Sequence, residues 1–119
     1  MTDGQLRERF VELAPAEWKA EDRDPLCQDG VVHFRIGNAL QGIGRKGECW
    51  TDEDRAALAM LKWLGRQDDT EFYRIQNSGG NWICSSWSDD GDPLQAFDHP
   101  EPWGAVLQAV IAKLEETKQ

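Results

Sequence analysis

Cysteine is scarce in this chain. Its 119 residues hold three, Cys27, Cys49 and Cys84, and no two lie within twenty residues of each other. An odd, widely spaced set makes neither a disulfide framework nor a Cys-x-x-Cys metal knuckle. Histidine is scarcer still, with only His33 and His99. No apolar run approaches the ~20 residues that a membrane helix needs. Met1-Thr2-Asp3-Gly4-Gln5 lacks both a basic region and an apolar run, so no secretory signal is expected. Basic residues are in deficit, with 13 Lys and Arg against 22 Asp and Glu, a net charge of −9. That balance opposes direct binding to nucleic acid or anionic lipid, whose phosphates would repel it. These absences lead to the expectation of a cytoplasmic protein with reduced thiols.

The composition that remains is that of a folded domain. It is 39% apolar and 29% charged, well away from the disordered class. A chain of this length is expected to form a single compact domain over 1–119, burying about two-thirds of the surface its unfolded form exposes. Six tryptophans are many for so small a chain. Trp is enriched both in cores and at binding hot spots, and its commoner place is the core. The charge is uneven. Residues 67–119 hold ten Asp and Glu against three Lys and Arg, whereas residues 1–66 hold twelve against ten.

The pattern predicts α+β architecture: an antiparallel sheet of three to four strands packed with about three helices in α-β-α layers. Thr2 and Gln5 form a capping box, with Leu6, Phe10 and Leu13 as the apolar stripe of a first helix. Pro15 opens a short helix carrying Trp18. Val31–Ile36 alternates as a strand, and glycine-rich Gly37–Gly47 reads as a loop or one irregular strand. Thr51-Asp52-Glu53-Asp54 caps a helix whose buried face is Ala57, Leu58, Leu61 and Leu64. Glu71–Asn77 and Asn81–Ser88 form a hairpin around Ser78-Gly79-Gly80. Leu94–Phe97 is a short further strand. The last helix starts near Pro100 or Pro102, with an amphipathic face of Trp103, Val106, Leu107, Val110, Ile111 and Leu114.

Several constellations could carry chemistry, and most fail on spacing. Gly42-Ile43-Gly44-Arg45-Lys46-Gly47 spells a dinucleotide fingerprint, but no strand runs directly into it and no helix opens at its third glycine. No cofactor is therefore expected, although Arg45 and Lys46 with the glycine amides could form a small anion nest. Cys49-Trp50 before a helix resembles the nucleophile of papain-like hydrolases, with His33 or His99 as base. Glu48 and Asp52 to Asp54 oppose it, because they would raise the thiol pKa. Asp89, Asp90, Asp92, Asp98 and Glu101 miss the spacing of a calcium loop, so no metal site is expected. An exposed Trp beside Asp or Asn could stack on a sugar.

The electrostatic pattern carries the main expectation. If the hairpin's second strand pairs back along the first, Asp68, Asp69 and Glu71 meet Asp89, Asp90, Asp92, Asp98 and Glu101 at one edge, opposite the glycine turn. Trp87 and Trp103 would supply aromatic contact there. The bland alternative is a solvated acidic face that only maintains solubility. Asp89, Asp90, Asp92, Trp87, Glu101, Asp98 and Trp103 are accordingly the expected partner-binding residues, and the partner a basic, nucleic-acid-binding protein.

Four features carry a resemblance: Trp18 after the first helix, the capped helix Thr51 to Leu64, the strand Trp82-Ile83-Cys84, and the Ala-rich helix Pro102 to Leu114. In this order they resemble the small α-β-α sandwich domain of phage proteins of unknown function. The family's Pro-Leu-Ala-Ile lead-in is here Pro102-Trp103-Gly104-Ala105-Val106, and the Gly37–Gly47 loop is longer. The resemblance implies a phage or prophage accessory protein, and by analogy a non-enzymatic inhibitor of host defence of the anti-CRISPR kind. The alternatives are a small thiol hydrolase using Cys49, and a module that dimerises through the hairpin edge or a Trp-rich face.

Overall fold

The capping box predicted at the N-terminus is present in the structure, a computed structural model that describes residues 2–14, 31–36, 39–44, 53–68 and 70–117. Helix α1 spans Asp3–Leu13. The Thr2 amide donates to Gln5 Oε1 at 2.8 Å, and the Gln5 amide donates to Thr2 Oγ1 at 3.2 Å. Leu6, Phe10 and Leu13 are buried, as the i, i+4, i+7 spacing requires. The short helix expected around Trp18, the Thr51 cap, and the stretch holding Cys27 and Cys49 lie outside the described residues.

Strand β1, Val31–Ile36, pairs antiparallel with β2, Ala39–Gly44. The glycine-rich stretch expected as a loop or one irregular strand is thus a paired strand in its centre. Both strands pack against α2, Glu53–Leu64. The buried face of α2 differs from the expected one. Ala57, Met60 and Leu64 are buried, with Leu61 packed against them, at i, i+3, i+4, i+7; Leu58 is 53% exposed. Leu58 is one position, or about 100°, off that stripe.

The main sheet has three antiparallel strands in the order β3-β4-β5: β3 is Glu71–Ser78, β4 is Asn81–Ser88 and β5 is Pro93–His99. Gly79 (φ 61°) and Gly80 (φ 90°) supply the two left-handed residues of the β3–β4 turn, where any other residue would be strained. Successive side chains point to opposite faces of the sheet. Tyr73, Ile75, Trp82, Cys84 and Phe97 face the core. Phe72, Arg74, Ser85 and Trp87 lie on the other face, by alternation and register.

Helix α3, Pro102–Thr117, is the centre of the molecule. It packs on β4 and β5 on one side and on α1 and α2 on the other. The layers run sheet, α3, then α1 with α2, so among the described residues the helices stack on one face of the sheet. The expected face of α3, Trp103, Val106, Leu107, Val110, Ile111 and Leu114, is buried throughout, and burial extends beyond it. Ala105 and Ala109 are buried along with Val106, Leu107 and Val110, as a helix covered on both sides must be. No described helix is long and apolar enough to cross a membrane.

Candidate acidic interface

The β4–β5 turn carries the densest group of acids in the described chain. It is held closed by its own backbone. The Ser88 amide donates to the Asp92 carbonyl at 2.9 Å, and the Gly91 amide to the Ser88 carbonyl at 2.9 Å. Gly91 takes φ 89°, and the Asp92 amide donates to Ser88 Oγ at 3.1 Å. The Asp89 amide reaches the Thr70 carbonyl at 2.8 Å, which ties the turn to the segment leading into β3. Asp68 stands at the same end. The Thr70 hydroxyl and amide donate to its Oδ1 at 2.6 and 2.8 Å, and these bonds hold its pKa below the ordinary value. Asp89, Asp90 and Asp92 are exposed, and none forms an ion pair with a described residue.

Trp87 sits one residue before this turn. Its ring lies over the outer sheet face, with Nε1 donating to Ser85 Oγ at 2.9 Å. The Arg74 guanidinium carbon is 5.1 Å from the ring centroid, within cation–π range. Register places Phe72, 58% exposed, directly across from Trp87. Sequence reasoning missed Phe72 and Arg74 as neighbours of Trp87. The two-residue glycine turn was the available signal, because it fixes the pairing Ser78↔Asn81 and hence Phe72↔Trp87.

Two groups of expected site residues fall elsewhere. Strand β5 runs back along β4, so Asp98 pairs with Ile83 and His99 with Trp82, at the glycine-turn end. Asp98 and Glu101 are therefore roughly 20 Å from Asp89, at ~3.3 Å per strand residue. That exceeds two Debye lengths (~8 Å each) at physiological ionic strength. The acids form two separate fields instead of the expected single edge. Trp103 belongs to neither, because it is only 4% exposed. The Arg7 guanidinium lies 4.2 Å from its ring centroid, and His99 packs at 4.9 Å with the planes tilted by 55°. Its burial makes Trp103 a core residue.

His99 is engaged through both ring nitrogens. The Glu101 amide donates to its Nδ1 at 2.9 Å, so Nε2 carries the proton and donates to Asp3 Oδ1 at 2.8 Å. The Cys84 thiol is sealed between sheet and helix, and burial pushes its pKa up to about 11, which leaves it a poor nucleophile. Among the described residues no group of three His, Cys, Asp or Glu side chains is gathered to hold a metal ion. No protein-family model, no curated protein and no solved structure matches this chain.

Proposed function

We propose that this chain is a non-enzymatic inhibitor that occupies the nucleic-acid-binding surface of a basic protein, in the manner of an anti-CRISPR or other anti-defence protein. The observation that carries the reading is the closed β4–β5 turn. Its three aspartates, Asp89, Asp90 and Asp92, are exposed beside Trp87 and Phe72 without an ion-pair partner among the described residues, on a turn that backbone bonds at Ser88, Asp89, Gly91 and Asp92 hold closed. Carboxylates on a pinned turn lose little freedom on binding, and an adjacent aromatic pair supplies area that a partner can desolvate. Asp68 extends the same field. The phage-domain resemblance of the sequence supplies the biological class, and the physics supplies only the sign of the partner. Asp98 and Glu101 lie outside the proposed surface, as does Trp103.

The test is capture from a nuclease-treated host lysate at two salt concentrations, using the wild type and an Asp89/Asp90/Asp92→Asn variant. A basic protein should be recovered at low salt, and its binding to nucleic acid should be lost when this chain is added. Three exposed ion pairs at roughly 0.5 kcal/mol each amount to about a tenfold loss of affinity in the variant. Recovery that ignores both salt and the substitutions would sink the proposal. β3 has no strand on its outer side among the described residues, which favours a second reading, self-association by strand pairing. Solution mass tests it: a stable dimer supports it, and a monomer at high concentration removes it.

A further inference from the structure

A cleft of about 300 Å³ opens between the inner face of the sheet and the C-terminal half of α3. That is the lower end of the range for small-ligand sites. It exists because Ser86 and Ala109 are small where larger residues would close the sheet onto the helix. Leu94 and Phe97 line it with apolar surface. Leu94 is spare in the pairing: Ser86 is opposite Gln95 and Trp87 opposite Pro93, and this bulge leaves it 48% exposed at the cleft.

The polar wall is built on Glu71. Its Oε2 accepts from the Tyr73 hydroxyl at 3.2 Å and from Lys113 Nζ at 3.2 Å. Glu116 stands 3.7 Å from the same ammonium. Lys113 is 8% exposed, so its charge is committed to these partners. Two carboxylates against one ammonium leave the wall with a residual negative charge. The C-terminus of α3 adds the negative end of its dipole at the same place. An anion is repelled there, and a neutral apolar guest leaves the carboxylates unanswered.

We infer that this cleft binds an alkylammonium or alkylguanidinium group, with its carbon stem on Leu94 and Phe97 and its cationic head toward Glu71 and Glu116. The source of that chemistry is a lysine or arginine side chain of a protein, or a free polyamine. The inference goes beyond the acidic-turn reading and does not depend on it, because the cleft can hold a single cation whether or not Asp89, Asp90 and Asp92 meet a partner.

The test is titration of the full chain, followed by amide ¹H–¹⁵N spectra, with n-butylammonium, n-butanol and pentanoate. The cation alone should shift Ser86, Gln95, Phe97 and Ala109, saturably. Glu116→Gln, on an exposed side chain, should weaken it about threefold, and Leu94→Trp, at the exposed mouth, should abolish it. A second pair of probes separates the sources. Tighter binding of N-acetyl-lysine N-methylamide assigns the cleft to a protein side chain, and tighter binding of 1,4-diaminobutane to a free amine. Equal shifts with butanol, shifts confined to the Asp89–Asp92 turn, or binding undiminished in both variants would overturn the inference.

Discussion

The two ends of the main sheet carry the same residue types and use them in opposite ways. At the glycine-turn end, Asp3, His99 and Trp103 form a joint. The histidine is bonded through both ring nitrogens, the indole packs against Arg7 and the imidazole, and α3 passes against the ring. At the β4–β5 end, Asp89 and Asp92 bond through their backbones while Asp89, Asp90 and Asp92 are all exposed, and Trp87 is half-buried on the outer face of the sheet. An acid beside a tryptophan is therefore part of a packing joint or of an open surface according to what is paired. The side-chain partners decide it: Asp3 has a buried partner and Asp89 has none among the described residues.

The comparison breaks most visibly at Gly104. A β-carbon there would stand 2.1 Å from His99 Cγ and 2.2 Å from Nδ1, and the ring is fixed by Asp3 and Glu101. Gly104→Ala should therefore cost about 3 kcal/mol, the upper range for overpacking, read as a lower urea midpoint. An unchanged midpoint would mean that the joint is loose. Between the two ends, the Cys84 thiol gives an alkaline signature. Its ordinary pKa is 9.0, and burial raises it to about 11 in the fold. Stability is then intact below pH 9. Above it the unfolded chain sheds a proton that the fold retains, so stability falls as pH rises toward 11. At ~1.4 kcal/mol per unit, the upper bound is about 2 to 3 kcal/mol. Tyr73 adds to the loss above pH 10, because burial first and Glu71 second raise its pKa as well. Urea melts of the wild type and Cys84→Ala between pH 8 and 11 should give a flatter slope in the variant, whatever the cost of the small cavity.

The joint's third test is Asp3. Asp3→Ala leaves His99 Nε2 without its acceptor and removes an acid from the first turn of α1. Leaving a buried donor unmade costs about 1 to 2 kcal/mol, and the helix dipole a few tenths more. Loss of that magnitude in the urea midpoint is expected. No loss would show that water replaces the carboxylate and that the joint is held by packing alone.

The local signals in the chain translated directly into elements where the physics is local. The Thr2/Gln5 box, the two-glycine turn and the proline at the start of α3 depend on neighbours within four residues, and each is seen. What the local pattern leaves out is set by distant partners. The predicted face of α3 is buried in full, but nothing in its spacing says that α1 and α2 extend the burial to Ala105 and Ala109. Leu58 was assigned to the buried stripe by hydrophobicity, and Met60 proved to hold the place. Asp98 was grouped with Asp89 by proximity in sequence, although a seven-residue strand turning back on β4 must carry it to the opposite end. Trp103 illustrates the same point: its burial depends on Arg7, almost a hundred residues earlier.

The smallest expected effect is the most discriminating. In the Asp89/Asp90/Asp92→Asn variant the turn keeps its hydrogen bonds, because those bonds use main-chain amides and carbonyls and the Ser88 hydroxyl. No ion pair to a described residue is lost. Stability should stay within ~0.5 kcal/mol of the wild type, as for exposed substitutions away from special features. The sign should be positive at low salt, since Asp68 stands nearby and three like charges are removed. Urea melts at low and high salt check both statements. A substantial loss of stability would show that the turn's carboxylates are structural, and the contrast between the two ends would vanish. A salt-sensitive gain, set against the loss from Asp3→Ala, would mean that one acid at the joint outweighs three at the open turn.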